Sequence, residues 1–359
     1  MIGTKRFAPL DGLRGIAVLM VFLSHTSGRG ILLHSDLNFT GIGHIGVYLF
    51  FCLSAYLLGS RLLDKKINWL VAKQFFIKRV FRIWPLYFLV LIAVLILQNV
   101  FGYYNSDYLF IKRGWLPAIQ HFVFYRGDSV FWSVVAEEQF YILVPALLFG
   151  YQKRPRTIVT ICILVVAVNY VLYISKHTEF PFVTNGLRYI STNARENGNY
   201  LDVFLGSLLM LFAFKAKLSL FQNKTFHLFS TVLFVVTLVG SVLLVSQNLF
   251  GLNQPAYLVR YYTLLFVIGF MPFILSLESG NKYVRVLNNP MLRKIGLYGF
   301  SYYLLHFFVF NFINEWINIA SELKFGLAFI LVHLVSMASY NFIEKPFITL
   351  GYKLAQKQT

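Results

Sequence analysis

Ten apolar runs, most of them close to 20 residues long, account for the larger part of this 359-residue chain. A helix needs about 20 predominantly apolar residues to cross the hydrocarbon core of a bilayer. The candidate spans cover residues 9–27, 41–60, 83–101, 130–149, 157–174, 200–214, 227–246, 256–277, 296–314 and 325–343. We therefore expect an all-α polytopic integral membrane protein with about ten transmembrane helices. The segment around 115–125 is apolar enough to be re-entrant or interfacial.

The composition supports this class and explains the charge. The chain is 58% hydrophobic and 13% charged, against about 25% charged residues in soluble domains. A net charge of +18 would suggest nucleic acid binding in a soluble protein. Here 22 of the 32 Lys and Arg residues fall in alternate loops on the side of the N-terminus. Cytoplasmic loops are enriched in Lys and Arg, so both termini are predicted to be cytoplasmic and no nucleic acid partner is expected.

The chain shows no internal repeat or low-complexity tract. We expect one transmembrane domain over residues 1–350, a short cytoplasmic tail over 351–359, and no appended soluble domain. The polar loop at 175–199 and the stretch at 101–129 are predicted to face outside, where His121 and Arg126 either line an entrance or are ordinary solvated residues. No metal site is expected.

The first span contains two ionisable residues, Arg14 and His25. Such groups are costly within a bilayer and usually face a protein interior or a water-filled cavity. Eleven residues of helix bring them within about 20° of one face and separate them by roughly 16 Å. Arg14 is predicted near the cytoplasmic boundary and His25 in the outer half. The alternatives are an Arg that reaches the interface and a packed, hydrogen-bonded His.

The fourth span places Glu137 and Glu138 one to two turns from its outer end, at a depth comparable with His25. A carboxylate near an imidazole orients its tautomer and raises its basicity, as a general base for a hydroxyl group requires. Adjacent helical positions point about 100° apart, so only one of the two carboxylates is expected to face a given cavity. The alternative is a boundary pair of charges facing water.

Two further clusters stand out. Arg79 and Arg82 share one side of the helix entering the third span, where Pro85 suits a first helical turn. Arg is suited to bidentate phosphate contacts, although anchoring to anionic lipid explains the same spacing. His306 lies near the middle of the ninth span, after Ser301 and Tyr302, and a hydrogen-bonded core histidine is the alternative there.

These motifs resemble, in order, those of the membrane-bound acyltransferase-3 family. The matching elements are Phe7–Gly15 followed by His25, Gly46–Leu58, Lys78–Pro85, Trp132–Ser133 with Glu137 and Gln139–Tyr141, Ser301–His306, and Glu344–Pro346. The resemblance covers nearly the whole chain. Two small residues differ from the usual pattern, Ala55 in the second span and Ala136 before the Glu.

The resemblance implies a multi-pass enzyme of the cell (inner, cytoplasmic) membrane that transfers an acyl group, often acetyl, from cytoplasmic acyl-CoA to a hydroxyl group. The acceptor would be a carbohydrate or lipid-linked glycan such as O-antigen, capsule or exopolysaccharide. We expect Arg14, Arg79 and Arg82 to hold the CoA phosphates, and His25, supported by Glu137, to act as base. A second set is expected to contact substrate or support the site: Glu138, Tyr141, Ser301, Tyr302 and His306.

Several alternatives stay open. A transporter or flippase that exports a polysaccharide or its precursor would use buried Arg, His and Glu as a proton or substrate path. Interrupted helices in an inverted repeat favour transport, and the sequence shows none. A structural or sensory membrane protein would not need charges on a shared face. Direct transfer and an acyl-enzyme intermediate are both compatible with the sequence, as is a separate extracytoplasmic partner protein.

Overall fold

The computed structural model describes residues 8–102, 111, 114–177, 200–215, 222–245 and 263–357. These ranges contain helices and no strand. The α-helices are α1 (Ala8–Ser27), α2 (Gly43–Leu63), α3 (Trp69–Asn99), α4 (Trp115–Phe122), α5 (Phe131–Lys153), α6 (Pro155–His177), α7 (Leu201–Lys215), α8 (Lys224–Val245), α9 (Thr263–Glu278), α10 (Pro290–Leu297), α11 (Gly299–Trp316), α12 (Ser321–Ser339) and α13 (Lys345–Gln356). A 3-10 helix (Lys282–Asn288) precedes α10, and a π-helix (Tyr340–Glu344) joins α12 to α13.

Each of the ten predicted spans overlaps a helix. Within the described ranges, six helical segments are long and apolar enough to cross a membrane, or eight if each of two bent pairs is one span. The expected class of helical protein with several candidate spans is thus confirmed. The count of about ten and the cytoplasmic position of both termini stay predictions, and residues 178–199 of the predicted outer loop lie outside the described residues.

Helix α3 begins earlier than the sequence suggested. The side chain of Asn68 accepts a hydrogen bond from the N–H of Val71 and caps a helix that starts at Trp69. Its 31 residues extend for about 46 Å, whereas a hydrocarbon core is about 30 Å thick. The expectation for Pro85 was therefore wrong, because this residue lies in the middle of α3 rather than in a first turn.

The chain forms two compact units. Unit one comprises Met1–Tyr56 and Gly206–Ser336, and unit two comprises Leu57–Leu205 and Met337–Thr359. The boundaries between them fall inside α2, α7 and α12.

In unit one, α1 and the segment around α10 touch through their backbones. A Cβ at Gly12 would lie 2.0 Å from the carbonyl oxygen of Leu287, and a Cβ at Gly296 would lie 1.9 Å from that of Asp11. Side chains larger than hydrogen do not fit at such distances, which is why small residues occur where helices cross closely. This contact holds in place the helix that carries Arg14 and His25.

In unit two, α13 packs along the basic first half of α3. A Cβ at Gly351 would lie 2.5 Å from Cβ of Phe81, so the two helices approach closely at this point. Residues 351–356, expected in a tail, continue α13. The π-helix before α13 carries the buried carboxylate of Glu344, and π-helical turns often mark functional sites.

Candidate active site

Two histidines lie side by side in unit one. The ring centroids of His25 on α1 and His306 on α11 are 5.1 Å apart. Phe307 packs against both rings, at 4.8 Å from His25 and 4.2 Å from His306. His25 is partly exposed, whereas His306 is buried. The sequence marked each histidine as a candidate, but it did not show that they meet.

The hydrogen bonding of His306 determines its tautomer. Its Nδ1 lies 3.0 Å from the carbonyl oxygen of Tyr302, one turn earlier on α11. Because a carbonyl oxygen only accepts, Nδ1 carries the proton, and in the neutral ring Nε2 presents a lone pair. Within the described ranges Nε2 is buried and has no hydrogen-bond partner. His306 therefore offers a buried acceptor to an incoming hydroxyl group.

Sequence reasoning missed Arg29, which follows α1. Its guanidinium carbon lies 4.3 Å from the ring centroid of Phe307 and 5.6 Å from that of Phe310, a cation–π arrangement. Arg29 and His44 both interact electrostatically with His25. The available signal was the spacing of four residues between His25 and Arg29. Arg29 was overlooked because it lies beyond the predicted span and resembles an ordinary charged loop residue.

A small cavity opens beside the two histidines. It has an empty volume of about 210 Å³, including its open mouth. The residues that line it are Val18, Val21, Phe22, Tyr302, Tyr303 and His306. Apolar side chains of α1 thus face His306 across a space that is mostly hydrophobic.

The predicted partners of the histidines in unit one have structural contacts of their own. Arg14 Nη1 lies 2.8 Å from Asp11 Oδ1, and a quarter of the Arg14 side chain stays exposed. The hydroxyl of Tyr302 lies 2.6 Å from Nδ1 of His333 and ties α11 to α12. Ser301 is fully buried. Arg14 is therefore oriented by an ion pair, and Tyr302 supports the helix that carries His306.

A second cluster of predicted residues forms in unit two. The hydroxyl of Tyr141 donates a short hydrogen bond to Glu137, one turn earlier on α5. The guanidinium of Arg79 lies 5.6 Å from the ring centroid of Tyr141. Arg82 interacts electrostatically with Tyr141, Glu344 and Glu137. Tertiary packing thus brings the two arginines of α3 to the carboxylates of α5 and the π-helix.

The adjacent carboxylates of α5 point to different partners, as their spacing predicted. Glu138 is buried, and its Oε2 lies 3.4 Å from Nε1 of Trp84. Its other oxygen has no hydrogen-bond partner in the part of the chain that the structure describes. Glu137 is half-buried and bonded to Tyr141.

Residues 7–341 match the family model Acyl_transf_3, which is described as an acyltransferase domain. The chain belongs to the acyltransferase-3 family. It is 24% identical over 380 residues to O-acetyltransferase OatA of Staphylococcus aureus strain NCTC 8325 / PS 47, and equally to OatA of strain COL. The alignment covers 98% of this chain and 58% of each relative, so the chain spans little more than half of their length. No solved structure matches the chain.

The acyltransferase-3 motifs of this chain are divided between the two units. Arg14, His25 and His306 belong to unit one, whereas Arg79 and Glu137 belong to unit two. The expected support of His25 by Glu137 joins residues of different units and stays a prediction.

His121, which was predicted to lie in an outer loop, has a structural role rather than that of a solvated loop residue. It is fully buried. Its Nδ1 lies 2.8 Å from the carbonyl oxygen of Pro117, and its Nε2 accepts a hydrogen bond of 2.8 Å from the N–H of Asp128. Burial lowers the pKa of His121, a shift that Asp128 opposes and Arg126 reinforces. His121 therefore links α4 to the turn before α5.

Proposed function

We propose that this chain is an integral membrane O-acyltransferase that moves an acyl group, with acetyl expected, from cytoplasmic acyl-CoA to a hydroxyl group of a cell-surface carbohydrate. The observation that carries the proposal is the pair of neighbouring imidazoles at His25 and His306, in a chain whose relatives are named O-acetyltransferases. The acceptor would be a glycan such as O-antigen, capsule, exopolysaccharide or a lipid-linked precursor.

Arg14, Arg79 and Arg82 are proposed to hold the phosphates of the donor. A guanidinium presents several N–H donors in a plane and suits phosphate oxygens. Arg79 supports this role because its Nε is buried and has no hydrogen-bond partner among the described residues. Arg82 and Arg14 already face carboxylates, so in our proposal they add positive charge and orientation rather than most of the direct contacts.

His25 is proposed to act as general base. Its imidazole takes the proton of the acceptor hydroxyl while the oxygen attacks the carbonyl carbon of the thioester. The C–S bond then breaks, the ester forms, and the CoA thiolate takes the proton from the imidazolium. Direct transfer is proposed because the rings that pack against His25 are those of His306 and Phe307, and neither carries a hydroxyl group that could take up the acyl group.

The test is CoA release from acetyl-CoA by the purified protein in nanodiscs, with water as the acceptor. His25→Ala should abolish release while the protein still inserts and binds acetyl-CoA. His34→Ala is the matched control, since His34 is an exposed histidine of the loop between α1 and α2. Full activity in His25→Ala would remove this residue as the base.

One observation favours the alternative of transport. The pair formed by α9 and the 3-10 helix bends by 92°, and the pair formed by α10 and α11 bends by 78°. Interrupted helices of this kind bind substrates in many transporters. A folded protein that binds no acetyl-CoA and releases no CoA would favour transport over transfer.

A further inference from the structure

The cavity of unit one lies along a single stripe of α1. Arg14, Val18, Val21 and His25 are spaced by four, three and four residues, which places them on one helical face. Val18 and Val21 line the cavity. The cavity therefore occupies the stretch of α1 between the proposed phosphate ligand Arg14 and the proposed base His25.

The opposite wall of the cavity belongs to α11. Tyr302, Tyr303 and His306 line it, and the His306 ring lies 5.1 Å from that of His25. A group placed in this cavity would thus be within one helical turn of the residues proposed to carry out transfer. The valine side chains offer it no hydrogen bond, so an apolar group fits better than a polar one.

We infer that this cavity receives the acyl end of the donor and restricts it to a short chain, with Val18 and Val21 as the residues that set its length. The inference rests on the proposed acyl-CoA activity. The empty volume of about 210 Å³ includes the open mouth of the cavity, so its enclosed part is small. We therefore expect it to accept a short acyl group and to exclude a long chain.

The two valines are closely packed on their other sides. Cγ2 of Val18 would lie 3.0 Å from a Cβ at Gly299, and Cγ2 of Val21 would lie 3.3 Å from a Cβ at Gly46. Both valines thus lie against the backbone of a glycine on a neighbouring helix, which limits outward movement of this wall. Shortening either valine to alanine should enlarge the cavity directly.

The experiment compares CoA release from acetyl-, propionyl- and butyryl-CoA by the full chain in nanodiscs, again with water as acceptor. One methylene in an apolar pocket changes discrimination by about 10–200-fold. Val18→Ala and Val21→Ala should each raise the butyryl-to-acetyl rate ratio by at least about tenfold. Val267→Ala is the matched control, because Val267 is a buried valine of the same unit that does not line the cavity.

A variant that fills the cavity tests the same inference without the risk that a shortened side chain destabilises the fold. Val21→Leu adds volume and should reduce acetyl-CoA use while leaving the protein folded by its elution profile and melting temperature. If both alanine variants still release CoA from acetyl-CoA and their butyryl-to-acetyl rate ratios are unchanged, the inference of an acyl pocket is wrong and the proposed function stands. If the parent protein releases no CoA from any donor, the proposed function is wrong, and so is the acyl-pocket inference that depends on it.

Discussion

His306 donates its Nδ1 proton to the carbonyl oxygen of Tyr302, 3.0 Å away on the same helix. This bond decides which nitrogen of a buried imidazole remains open beside His25. A histidine that only filled space would not need an unpartnered nitrogen at the edge of a cavity, because leaving a buried polar atom unpaired costs about 1–3 kcal/mol. In the proposed mechanism Nε2 is an open acceptor for a substrate group other than the hydroxyl that His25 deprotonates.

Two amide substitutions separate the functions of the two His306 nitrogens. His306→Asn places an N–H near the position of Nδ1 and should keep the bond to Tyr302, but it offers nothing at Nε2. His306→Gln places an amide oxygen near Nε2. We expect Asn to lower CoA release from acetyl-CoA by tenfold or more, equivalent to about 1.4 kcal/mol, and Gln to retain more activity. Parent-like rates in His306→Asn would show that the open nitrogen is not used.

Arg79 and Arg82 should respond differently to substitution. Arg79→Ala should raise the KM for acetyl-CoA by about tenfold, because a charged hydrogen bond contributes about 1.5–3 kcal/mol. Arg82→Ala should mainly lower the melting temperature, since Arg82 interacts electrostatically with Tyr141 and with the buried carboxylate of Glu344, and a buried charge that loses a compensating charge is destabilising.

Lys73→Ala is the control for both arginines, because Lys73 is an exposed basic residue of α3. Rates are measured against acetyl-CoA concentration, and stability by thermal unfolding in detergent. If the rate of Arg79→Ala depends on acetyl-CoA concentration as in the parent protein, Arg79 anchors the helix to lipid rather than binding the donor.

His121 should make stability depend on pH. Its pKa in the folded protein is lowered, first by burial, from about 6.5 in the unfolded chain. The unfolded chain therefore binds a proton first as the pH falls, so the contribution of His121 is complete above about pH 6.5 and decreases below it. We expect the melting temperature to fall between about pH 6.5 and 5, and this slope to be smaller in His121→Gln. Equal slopes in the two proteins would contradict this assignment.

The backbone contact between α1 and α10 should not tolerate a methyl group. In Gly296→Ala the new Cβ would lie 1.9 Å from the carbonyl oxygen of Asp11, and such overpacking costs about 1–3 kcal/mol or more. Gly326→Ala is the control, because its Cβ would have nothing within 4 Å and alanine favours a helix. Thermal unfolding should show a clear loss for the first variant and little change or a small gain for the second. CoA release should fall only in Gly296→Ala.

Several features could be predicted from residue order. Long apolar runs predict helices because a backbone in lipid must satisfy its own hydrogen bonds, and a helix overlaps every predicted span. Ionisable residues in those runs marked His25, Glu137 and His306 as candidate site residues, because ionisable groups within a bilayer are costly and usually functional. The prediction for Pro85 was wrong, because this residue lies within α3 rather than at its start, and of the two alternatives for His121 the solvated one is excluded by its burial.

The sequence by itself determined the class of protein, the approximate locations of its helices and the family to which it belongs, since these depend on composition, periodicity and motif order. It could not show that His25 meets His306, that Arg29 stacks on Phe307, or that Arg82 faces Glu344 from a distant helix. These contacts join residues separated by up to 281 positions. They follow from how helices pack, and packing depends on close approaches such as Gly296 against Asp11 that no local pattern encodes.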